Sequence, residues 1–272
     1  MALIAYKTLI KFPIFSLKET ESFQISSSLP IPQPSSLIGA LAYSYAIYKN
    51  VNSEEAIKLI RDKVILARAR LPKEVMITPN PIMLWRFRIL DRGYERPKKK
   101  GAKVLMEELI EYLSKREYDR AKELIEVRLK DALYREYVFT PIIETVWITK
   151  RELPLEIFYL INRIGDTESL CNVVKAEKIK CDAYSLKEIE TLYPFVYDTG
   201  LIEKFTGDYY TIMKMNDEKG LLRNFVLPLG RGVRELRKGK RCIIFYPSRI
   251  HVEFKKSITV YRVNNEYLFL GD

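Results

Sequence analysis

The sequence has 272 residues, 47% of them hydrophobic and 30% charged, which is enough for one large or two smaller globular domains. Residues 22–48 form the longest uncharged stretch, but serine, glutamine and proline interrupt it, and its helical part is too short for a membrane span. The N-terminus lacks the features of a signal peptide, so we expect a cytoplasmic protein. Three cysteines without a C-x-x-C pair argue against a disulfide framework and against a cysteine-rich zinc site, and we expect buried, reduced thiols.

The net charge of +11 is concentrated in two windows. Residues 86–103 carry eight basic and two acidic residues, and residues 231–241 carry six basic and one acidic residue, so the windows contribute +6 and +5. The rest of the chain is formally neutral. Such concentrated charge is typical of proteins that bind a polyanion, and it favours a nucleic-acid partner. For any one of these residues, a solvated surface role is an equally open alternative.

A proline-rich segment precedes the first predicted helix. Pro30, Pro32 and Pro34 alternate with other residues and predict an extended, inflexible backbone. Ser35 or Ser36 would then cap a helix that is apolar on every side and ends near residue 49. The free N–H groups of its first turn, together with the two hydroxyls, are suited to binding a phosphate. A capped core helix without a ligand is the alternative.

The remaining elements follow from apolar spacing and from turn residues. Asn52 and Glu55 have the spacing of a capping box at the start of a second helical segment. A long helical region, with a break near residue 114, is expected as an insertion at residues 104–137. The expected strands are residues 2–12, 81–90, 142–150 and 168–180, and a further helix is expected at residues 153–165.

Without the insertion, the order β-α-β-β-α-β predicts an α+β fold with a ferredoxin-like (RRM-like) domain at residues 1–183. A helical and basic thumb is expected at about residues 93–137, and a small β-rich domain at residues 184–272. The ferredoxin-like sheet would carry helices on one face and leave the other open to RNA. The RRM signature is absent, so base stacking of the RRM type is not expected.

The sequence contains little of the usual catalytic chemistry. His251 is the one histidine, and no histidine or cysteine partner lies at metal-ligand spacing, so we expect no metal site and no cofactor. Nucleotide-binding glycine motifs and a carboxylate cluster for a two-metal nuclease are also absent. We therefore expect a non-catalytic protein. Metal-independent RNA cleavage by tyrosine, lysine and arginine side chains stays open as an alternative.

The sequence resembles the Cas-five family of the RAMP superfamily in three features. They are the first strand followed by the Pro-x-Pro-x-Pro-Ser-Ser-Leu-Ile-Gly-Ala-Leu segment at residues 30–41, the Gly-Asp-Thr-Glu-Ser-Leu turn at residues 165–170, and the β-rich tail. The resemblance covers residues 2 to about 180. It implies a subunit of a type I CRISPR Cascade complex, of archaeal type I-A or I-D, that acts in antiviral defence and binds the 5′ handle of the crRNA. The implied partners are crRNA and the backbone and large subunits, with target DNA contacted only indirectly and no membrane.

The candidate RNA-binding residues come from both arguments. The resemblance matches Ser35, Ser36 and Gly39 in the proline-rich segment, where Gly39 is expected to allow close helix packing, and Thr167, Glu168 and Ser169 in the turn. The two basic windows contribute further candidates: Arg86, Arg88, Arg92, Lys98, Lys99, Lys100, Arg231, Arg234, Arg237 and Arg241. We expect the two windows to converge into one cationic groove.

Two other functions stay open on the sequence alone. One branch of the resembled family cleaves precursor RNA with tyrosine, lysine and histidine, a set that has no match here. The other possibility is a protein-interaction subunit whose basic windows face acidic partners. The scarcity of glutamine beside abundant lysine, glutamate and isoleucine also favours a thermophilic source.

Overall fold

The computed structural model describes residues 3–19, 27–87, 102–126, 130–235 and 241–271, without the side chains of residues 84–87, 102–105 and 130–133. The chain divides into two compact units. The larger comprises Met1–Asn80 and Glu136–Asp272, and the smaller comprises Pro81–Arg135.

The described residues form a mixed α/β structure. The helices are α1 (Pro34–Lys49), α2 (Ser53–Lys63), α3 (Ala102–Ser114), α4 (Tyr118–Leu124) and α5 (Glu156–Tyr159). The strands are β1 (Ile4–Lys11), β2 (Val64–Arg70), β3 (Thr78–Phe87), β4 (Lys130–Phe139), β5 (Ile143–Thr149), β6 (Asn172–Thr191), β7 (Phe195–Val196), β8 (Ile202–Thr206), β9 (Thr211–Asn216), β10 (Leu222–Leu227), β11 (Leu229–Glu235), β12 (Arg241–Pro247), β13 (Ile250–Val263) and β14 (Glu266–Phe269).

The main sheet has the strand order β14-β13-β6-β1-β5-β2, with β8 beside β13, and its strand pairs are antiparallel. In β1, Tyr6 lies opposite Trp147 of β5 on one side and Lys178 of β6 on the other. The two smaller sheets of the larger unit are β7-β10-β9 and the β11-β12 pair. The C-terminal part is therefore rich in strands, as expected.

One face of the main sheet packs against helices. Alternation along β1 and β5 places Tyr6, Ile10 and Trp147 on this face, where they are buried with Leu41 of α1 and Phe158 of α5. The rings of Tyr6 and Phe158 stack with centroids 4.6 Å apart, and Trp147 meets Phe158 edge-on at 5.2 Å. Because a large apolar side chain contributes about 1.5–3 kcal/mol on full burial, this face carries much of the stability.

The opposite face is also covered. Ala5, Val146 and Ile148 point to it, and they pack with Tyr193 and Leu268 from the C-terminal strands and their connections. The expectation of an open face is therefore wrong for β1, β2 and β5, because C-terminal segments occupy the side that lacks helices. RNA does not have that surface available.

Several predicted elements differ from the structure. The predicted strand at residues 81–90 overlaps β3, which pairs with β4 and not with the main sheet. The corresponding strand of the main sheet is β2, whose VILARAR sequence was not recognised as a buried strand. The helix expected at residues 153–165 shrinks to α5, which spans four residues. The helical region expected at residues 104–137 does not continue to residue 137. Its last part is the strand β4, whose Tyr-Val-Phe content suits a strand.

The start of α2 is as predicted. The Asn52 side chain accepts a hydrogen bond from the Glu55 N–H at 2.7 Å. The start of α1 is not, because the helix begins at Pro34 and Gln33 occupies the cap position without a side-chain bond. Ser35 and Ser36 therefore lie inside the first turn.

In the smaller unit, α3 and α4 pack through Leu109, Ala121 and Leu124. The helices expected in the insertion are thus present, whereas its basic segment, residues 88–101, lies outside the described residues. The predicted boundary between residues 183 and 184 falls within β6. The division of the chain at that point stays a prediction.

None of the helices within the described ranges is long and apolar enough to cross a membrane. All three cysteines are free; Cys181 is buried, and Cys171 and Cys242 are half-buried. Burial raises the pKa of Cys171 to about 12 and, with a smaller effect from Asp182, that of Cys181 to about 11. The thiols of Cys171 and Cys181 are therefore poor nucleophiles.

Candidate nucleic-acid interface

The proline-rich segment leads into α1 along a buried path. Pro30, Pro32 and Pro34 are buried, and Gln33 has extended backbone angles. Just before them, the Leu29 N–H donates to the Leu17 carbonyl at 2.8 Å. The segment fixes where α1 begins and hence where its first turn is presented.

One face of α1 is open to solvent. Helical spacing aligns Ser36, Gly39 and Tyr43, and a Cβ atom placed on Gly39 would meet nothing within 4 Å. The expectation that Gly39 allows close helix packing is therefore wrong. Tyr43 is 46% exposed, and the Arg163 guanidinium lies 5.9 Å from its ring centroid. This α1 face presents a hydroxyl, accessible backbone, an aromatic ring and a positive charge.

The turn at residues 165–170 is an anchor within the fold. Gly165 has φ +96°, and a Cβ there would come within 2.2 Å of Leu17 Cδ2, so only glycine fits. Ser169 is fully buried; its hydroxyl accepts from the Ser16 N–H at 3.0 Å and donates to the Ser16 carbonyl at 3.2 Å. Thr167, by contrast, is exposed. Ser169 thus uses its hydroxyl within the chain, whereas Thr167, like Glu168 and Leu170, faces solvent.

The two family-like motifs are connected through residues 16 and 17. Ser16 bonds to Ser169 in the turn, while the Leu17 N–H donates to Ser28 Oγ, at 2.9 Å, just before the first proline. The Ser28 N–H in turn donates to the Glu136 carboxylate at 2.9 Å. The proline-rich segment and the turn therefore hold one another in place.

The strands β11 and β12 form a two-stranded ribbon that carries exposed arginines. Leu229 and Phe245 are buried at its base, where Ile77 exchanges two backbone hydrogen bonds of 2.9 Å with Phe245. Arg231 is exposed directly opposite Phe245, and Arg234 and Arg241 are exposed farther along. Arg241 lies 3.4 Å from Glu235, but both side chains are largely solvated, so this pair contributes little.

The other basic candidates are not placed by the structure. Arg88, Arg92, Lys98, Lys99, Lys100 and Arg237 lie outside the described residues, as does the side chain of Arg86. The convergence of the two basic windows into one groove stays a prediction.

Sequence reasoning missed Tyr43 and Arg163. Tyr43 lies four residues after Gly39, which is the spacing of a shared helix face, so a search for aromatic residues on that face would have found it. Arg163 stands outside both basic windows, and its link to Tyr43 depends on the packing of α1 against the segment that follows α5.

A second group of charged residues is buried on the C-terminal side of the main sheet. Glu144 accepts from Arg70 Nε at 2.6 Å and from the Tyr193 hydroxyl at 2.7 Å, and it pairs with Lys7 Nζ at 2.8 Å. Burial alone would raise the pKa of Glu144, but the Arg70 charge and the hydrogen bonds from Arg70, Lys7 and Tyr193 outweigh it and lower the pKa. Burial raises the pKa of Tyr193 well above its usual value. We call these four residues the buried ionic cluster; it serves the fold.

Chemistry for metal binding is sparse in the part of the chain that the structure describes. No group of three or more histidine, cysteine, aspartate or glutamate side chains is arranged to bind a metal there. His251 Nε2 lies 3.7 Å from Glu188 and 3.6 Å from Glu253 on the surface of β13 and its neighbours.

Comparisons with known proteins find sequence similarity to CRISPR-associated proteins. No protein-family model matches the chain. It is 29% identical over 194 residues to the CRISPR-associated protein Cas5 of Methanocaldococcus jannaschii, covering 66% of each chain. It is 27% identical over 163 residues to the CRISPR-associated protein Cas5 of Thermoproteus tenax, covering 60% of this chain and 61% of that one. The chain thus spans slightly less than two thirds of the length of these curated relatives.

The fold agrees with this result. A crystal structure of a CRISPR protein from Archaeoglobus fulgidus superposes with a TM-score of 0.55 over 97% of both chains, at 18% identity. The chain is therefore similar in sequence to CRISPR-associated Cas5 proteins and similar in fold to a CRISPR protein.

Proposed function

We propose that the chain is a non-catalytic, RNA-binding assembly subunit of a Cascade-type CRISPR complex that binds the 5′ handle of the crRNA. The proposal includes a ferredoxin-like fold for the larger unit. The order β6-β1-β5-β2, antiparallel with helices on one face, supports that description.

The exposed arginines of the β11-β12 ribbon are the main support for RNA binding. Arg231, Arg234 and Arg241 are exposed on a short two-stranded element whose base is fixed in the core. They belong to a window that contributes +5 to a chain of net charge +11. Arginine binds phosphate in a planar, bidentate manner, and a chain of phosphates is the partner that such an element fits.

The α1 face supplies a second contact in the same unit. A glycine without neighbours lets a ligand approach the helix backbone, and Ser35 and Ser36 are half-buried in the first turn. An exposed tyrosine beside an arginine provides a stacking surface for a base. Thr167 is one of the solvent-facing residues of the turn at residues 165–170.

The proposed protein partners are the backbone and large subunits of the complex, with target DNA contacted through them and the crRNA. This part is supported by the sequence similarity to Cas5 proteins. Copurification of tagged chain with the neighbouring gene products tests it.

Salt-dependent RNA binding tests the ribbon. The triple variant Arg231→Ala/Arg234→Ala/Arg241→Ala removes three charges, so the slope of log affinity against log salt falls by roughly 2, at about 0.7 per single-strand phosphate contact. The measurement is a titration of fluorescent CRISPR-repeat RNA at several salt concentrations.

The matched control is Lys58→Ala/Lys73→Ala/Lys187→Ala, which removes the same charge from exposed positions elsewhere. We expect its slope to stay near that of the wild type. An equal decrease of the slope in both triple variants would show a general effect of net charge and would contradict a specific site in the ribbon.

The absence of catalysis is a separate part of the proposal. Its support is the location of His251 between two carboxylates on a sheet surface. Incubation of the purified chain with repeat RNA in EDTA should leave the RNA intact. A discrete product that disappears in His251→Ala would establish the endoribonuclease alternative.

A further inference from the structure

The β11-β12 ribbon has two unlike faces. Cross-strand pairing aligns six residues on one of them, which we call the glycine face: Gly230, Gly232, Arg234, Cys242, Ile244 and Tyr246. Leu229 and Phe245 belong to the other face, and both are buried in the core at the base of the ribbon. Because successive side chains of a strand point to opposite sides, the glycine face points away from that part of the core.

A tyrosine ring lies against the backbone at one of the two glycines. A Cβ atom on Gly230 would clash with Cε2 and Cζ of the Tyr246 ring. At Gly232 the nearest atom to an added Cβ is Ile244 Cγ1, at 3.4 Å, which is an ordinary contact. Glycine is therefore required at position 230 to make room for the ring, whereas the neighbours of residue 232 do not require it.

The Tyr246 ring supports a second, more exposed tyrosine. Tyr209, in the loop between β8 and β9, meets Tyr246 edge-on, with ring centroids 5.5 Å apart and an angle of 75° between the ring planes. Such an edge-to-face arrangement is a preferred geometry of aromatic pairs. Tyr209 is 54% exposed, so much of its ring is open to solvent. A ring that is supported on one side and open on the other is suited to stacking on a planar ligand.

The loop that carries Tyr209 is fixed at the base of the ribbon. Before the tyrosine, a Cβ atom on Gly207 would lie 2.8 Å from the Arg249 carbonyl oxygen, so the loop backbone packs directly on the turn between β12 and β13. After it, the Thr211 hydroxyl donates to the Leu229 carbonyl at 3.0 Å. The loop therefore holds Tyr209 beside the ribbon from both directions.

The glycine face also carries an exposed arginine. Arg234 lies four residues after Gly230 on β11, about 13 Å along the strand. Arg231 and Arg241 belong to the other face, so Arg234 is the ribbon arginine that shares a face with the tyrosine pair. Proteins that bind single-stranded nucleic acid combine cations, which bind the backbone, with aromatic rings, on which bases stack. The glycine face has both kinds of group.

We propose that Tyr209 stacks on one unpaired base of the bound RNA, with Tyr246 and Gly230 as its positioning residues and Arg234 at the adjoining backbone. The inference rests on the proposed function, which it deepens by naming a residue that contacts a base. A nucleotide has the flat aromatic face that the tyrosine ring complements and the negative charge that the arginine complements. An acidic peptide would satisfy the arginine, but a planar ring is not a regular part of its chain.

Substitution of Tyr209 tests the stacking. We expect Tyr209→Ala to weaken binding of repeat RNA by about 5- to 150-fold, the loss that corresponds to one stacked base, while Tyr209→Trp retains the affinity. The slope of log affinity against log salt should stay that of the wild type, because no charge is removed. The matched control is Tyr184→Ala, which removes an exposed tyrosine on β6 and should leave the affinity unchanged.

The two glycines test the positioning of the ring. We expect Gly230→Ala to displace Tyr246 and to weaken RNA binding, whereas Gly232→Ala keeps the wild-type affinity. Tyr246→Ala removes the same support without a clash, so it should weaken binding even if Gly230→Ala does not fold. Equal losses in the two glycine variants would indicate close approach of RNA to the ribbon backbone and would overturn the positioning role.

Abasic RNA identifies the contact from the side of the ligand. Repeat RNAs that each lack one base should reveal a position at which the loss weakens binding to the wild-type chain by about the same factor as Tyr209→Ala. In the Tyr209→Ala chain, loss of the base at that position should have no further effect, because the two changes remove one contact. Additive losses would overturn the stacking on Tyr209.

The outcomes separate this inference from the proposed function. RNA binding that depends on the ribbon arginines but not on Tyr209 overturns the stacking and leaves the proposed function standing. If the wild-type chain binds no RNA, both fail. Intact RNA binding with loss of a copurifying protein in Tyr209→Ala would assign the ring to a protein partner and would also overturn the inference.

Discussion

Two arginine-rich regions of the larger unit show how differently the same residue is used. In β2, Arg68 is 1% exposed; it donates to the Pro194 carbonyl at 3.0 Å and to the Glu218 carboxylate. In the ribbon, Arg231 and Arg234 are exposed. The difference teaches that a positive charge indicates a partner only where the fold has not already provided one.

In the buried region, stability depends strongly on each ion-pair partner. Removing one partner of a buried ion pair leaves an uncompensated charge, whereas exposed pairs are close to neutral. Arg70 lies 4.6 Å above the Tyr193 ring as well as beside Glu144, so several groups depend on that one carboxylate. Substitutions in the buried region should therefore lower the free energy of unfolding. Substitutions in the ribbon should weaken RNA binding and leave the free energy of unfolding nearly unchanged.

The largest effect is expected at Glu144. Glu144→Ala leaves Arg70 and Lys7 without their shared partner, and we expect the free energy of unfolding to fall by about 3–5 kcal/mol. Urea denaturation followed by circular dichroism measures it. The control is Glu152→Ala, which breaks an exposed pair with Lys178 and should cost less than about 1 kcal/mol. Equal losses would contradict the contrast between buried and exposed charges.

Acid should weaken the buried region in a manner that depends on Glu144. Because its pKa is lowered in the folded chain, its stabilising contribution is present above about pH 4.5 and is lost as the pH falls through the folded pKa. We expect Glu144→Gln to flatten the decline in the free energy of unfolding between about pH 5 and pH 3. Denaturation at a series of pH values tests this.

The companion variant is Glu253→Gln, which removes a surface carboxylate whose pKa is lowered first by its hydrogen bond from Lys204. Its effect on the acid decline should be the smaller of the two. A larger effect at Glu253 would show that surface pairs control acid stability.

A smaller change of opposite sign is expected on the α1 face. Gly39→Ala adds a methyl group into open space within a helix, so we expect the free energy of unfolding to rise by about 0.5–1 kcal/mol. The thermal midpoint should rise accordingly. If RNA lies against this backbone, the same variant should bind RNA more weakly than the wild type; a fall in stability would show that Gly39 packs closely after all.

The smallest effect on stability is expected in the ribbon. Each of Arg231→Ala, Arg234→Ala and Arg241→Ala should change the free energy of unfolding by no more than about 0.5 kcal/mol, because each side chain is exposed. Urea midpoints within error of the wild type would confirm this. A cooperative loss of stability in the triple variant would give the arginines a structural role.

Structural features that depend on neighbouring residues could be predicted from the sequence, whereas features that depend on distant partners could not. The Asn52 cap and the strand before the proline-rich segment depend on neighbouring residues and were predicted. The strand β2 was missed because its arginines are paired with Glu144 and Glu218, far away in the sequence. For the same reason, Ser169 was expected to face RNA, whereas its partner is the Ser16 backbone.

The candidate site was predictable in part. The ribbon arginines were found from charge alone, and the α1 face from its serine and glycine residues. The pairing of Tyr43 with Arg163 depends on a contact between separate elements. No local pattern records such contacts.

The most direct measurement of the central claim is sequencing of the RNA that copurifies with tagged chain from cells that carry its CRISPR locus. The account predicts short RNAs that share one repeat-derived 5′ end, enriched with the wild-type chain and lost with Arg231→Ala/Arg234→Ala/Arg241→Ala but not with Lys58→Ala/Lys73→Ala/Lys187→Ala. Copurifying RNA without repeat sequence, or equal enrichment with both triple variants, would contradict it.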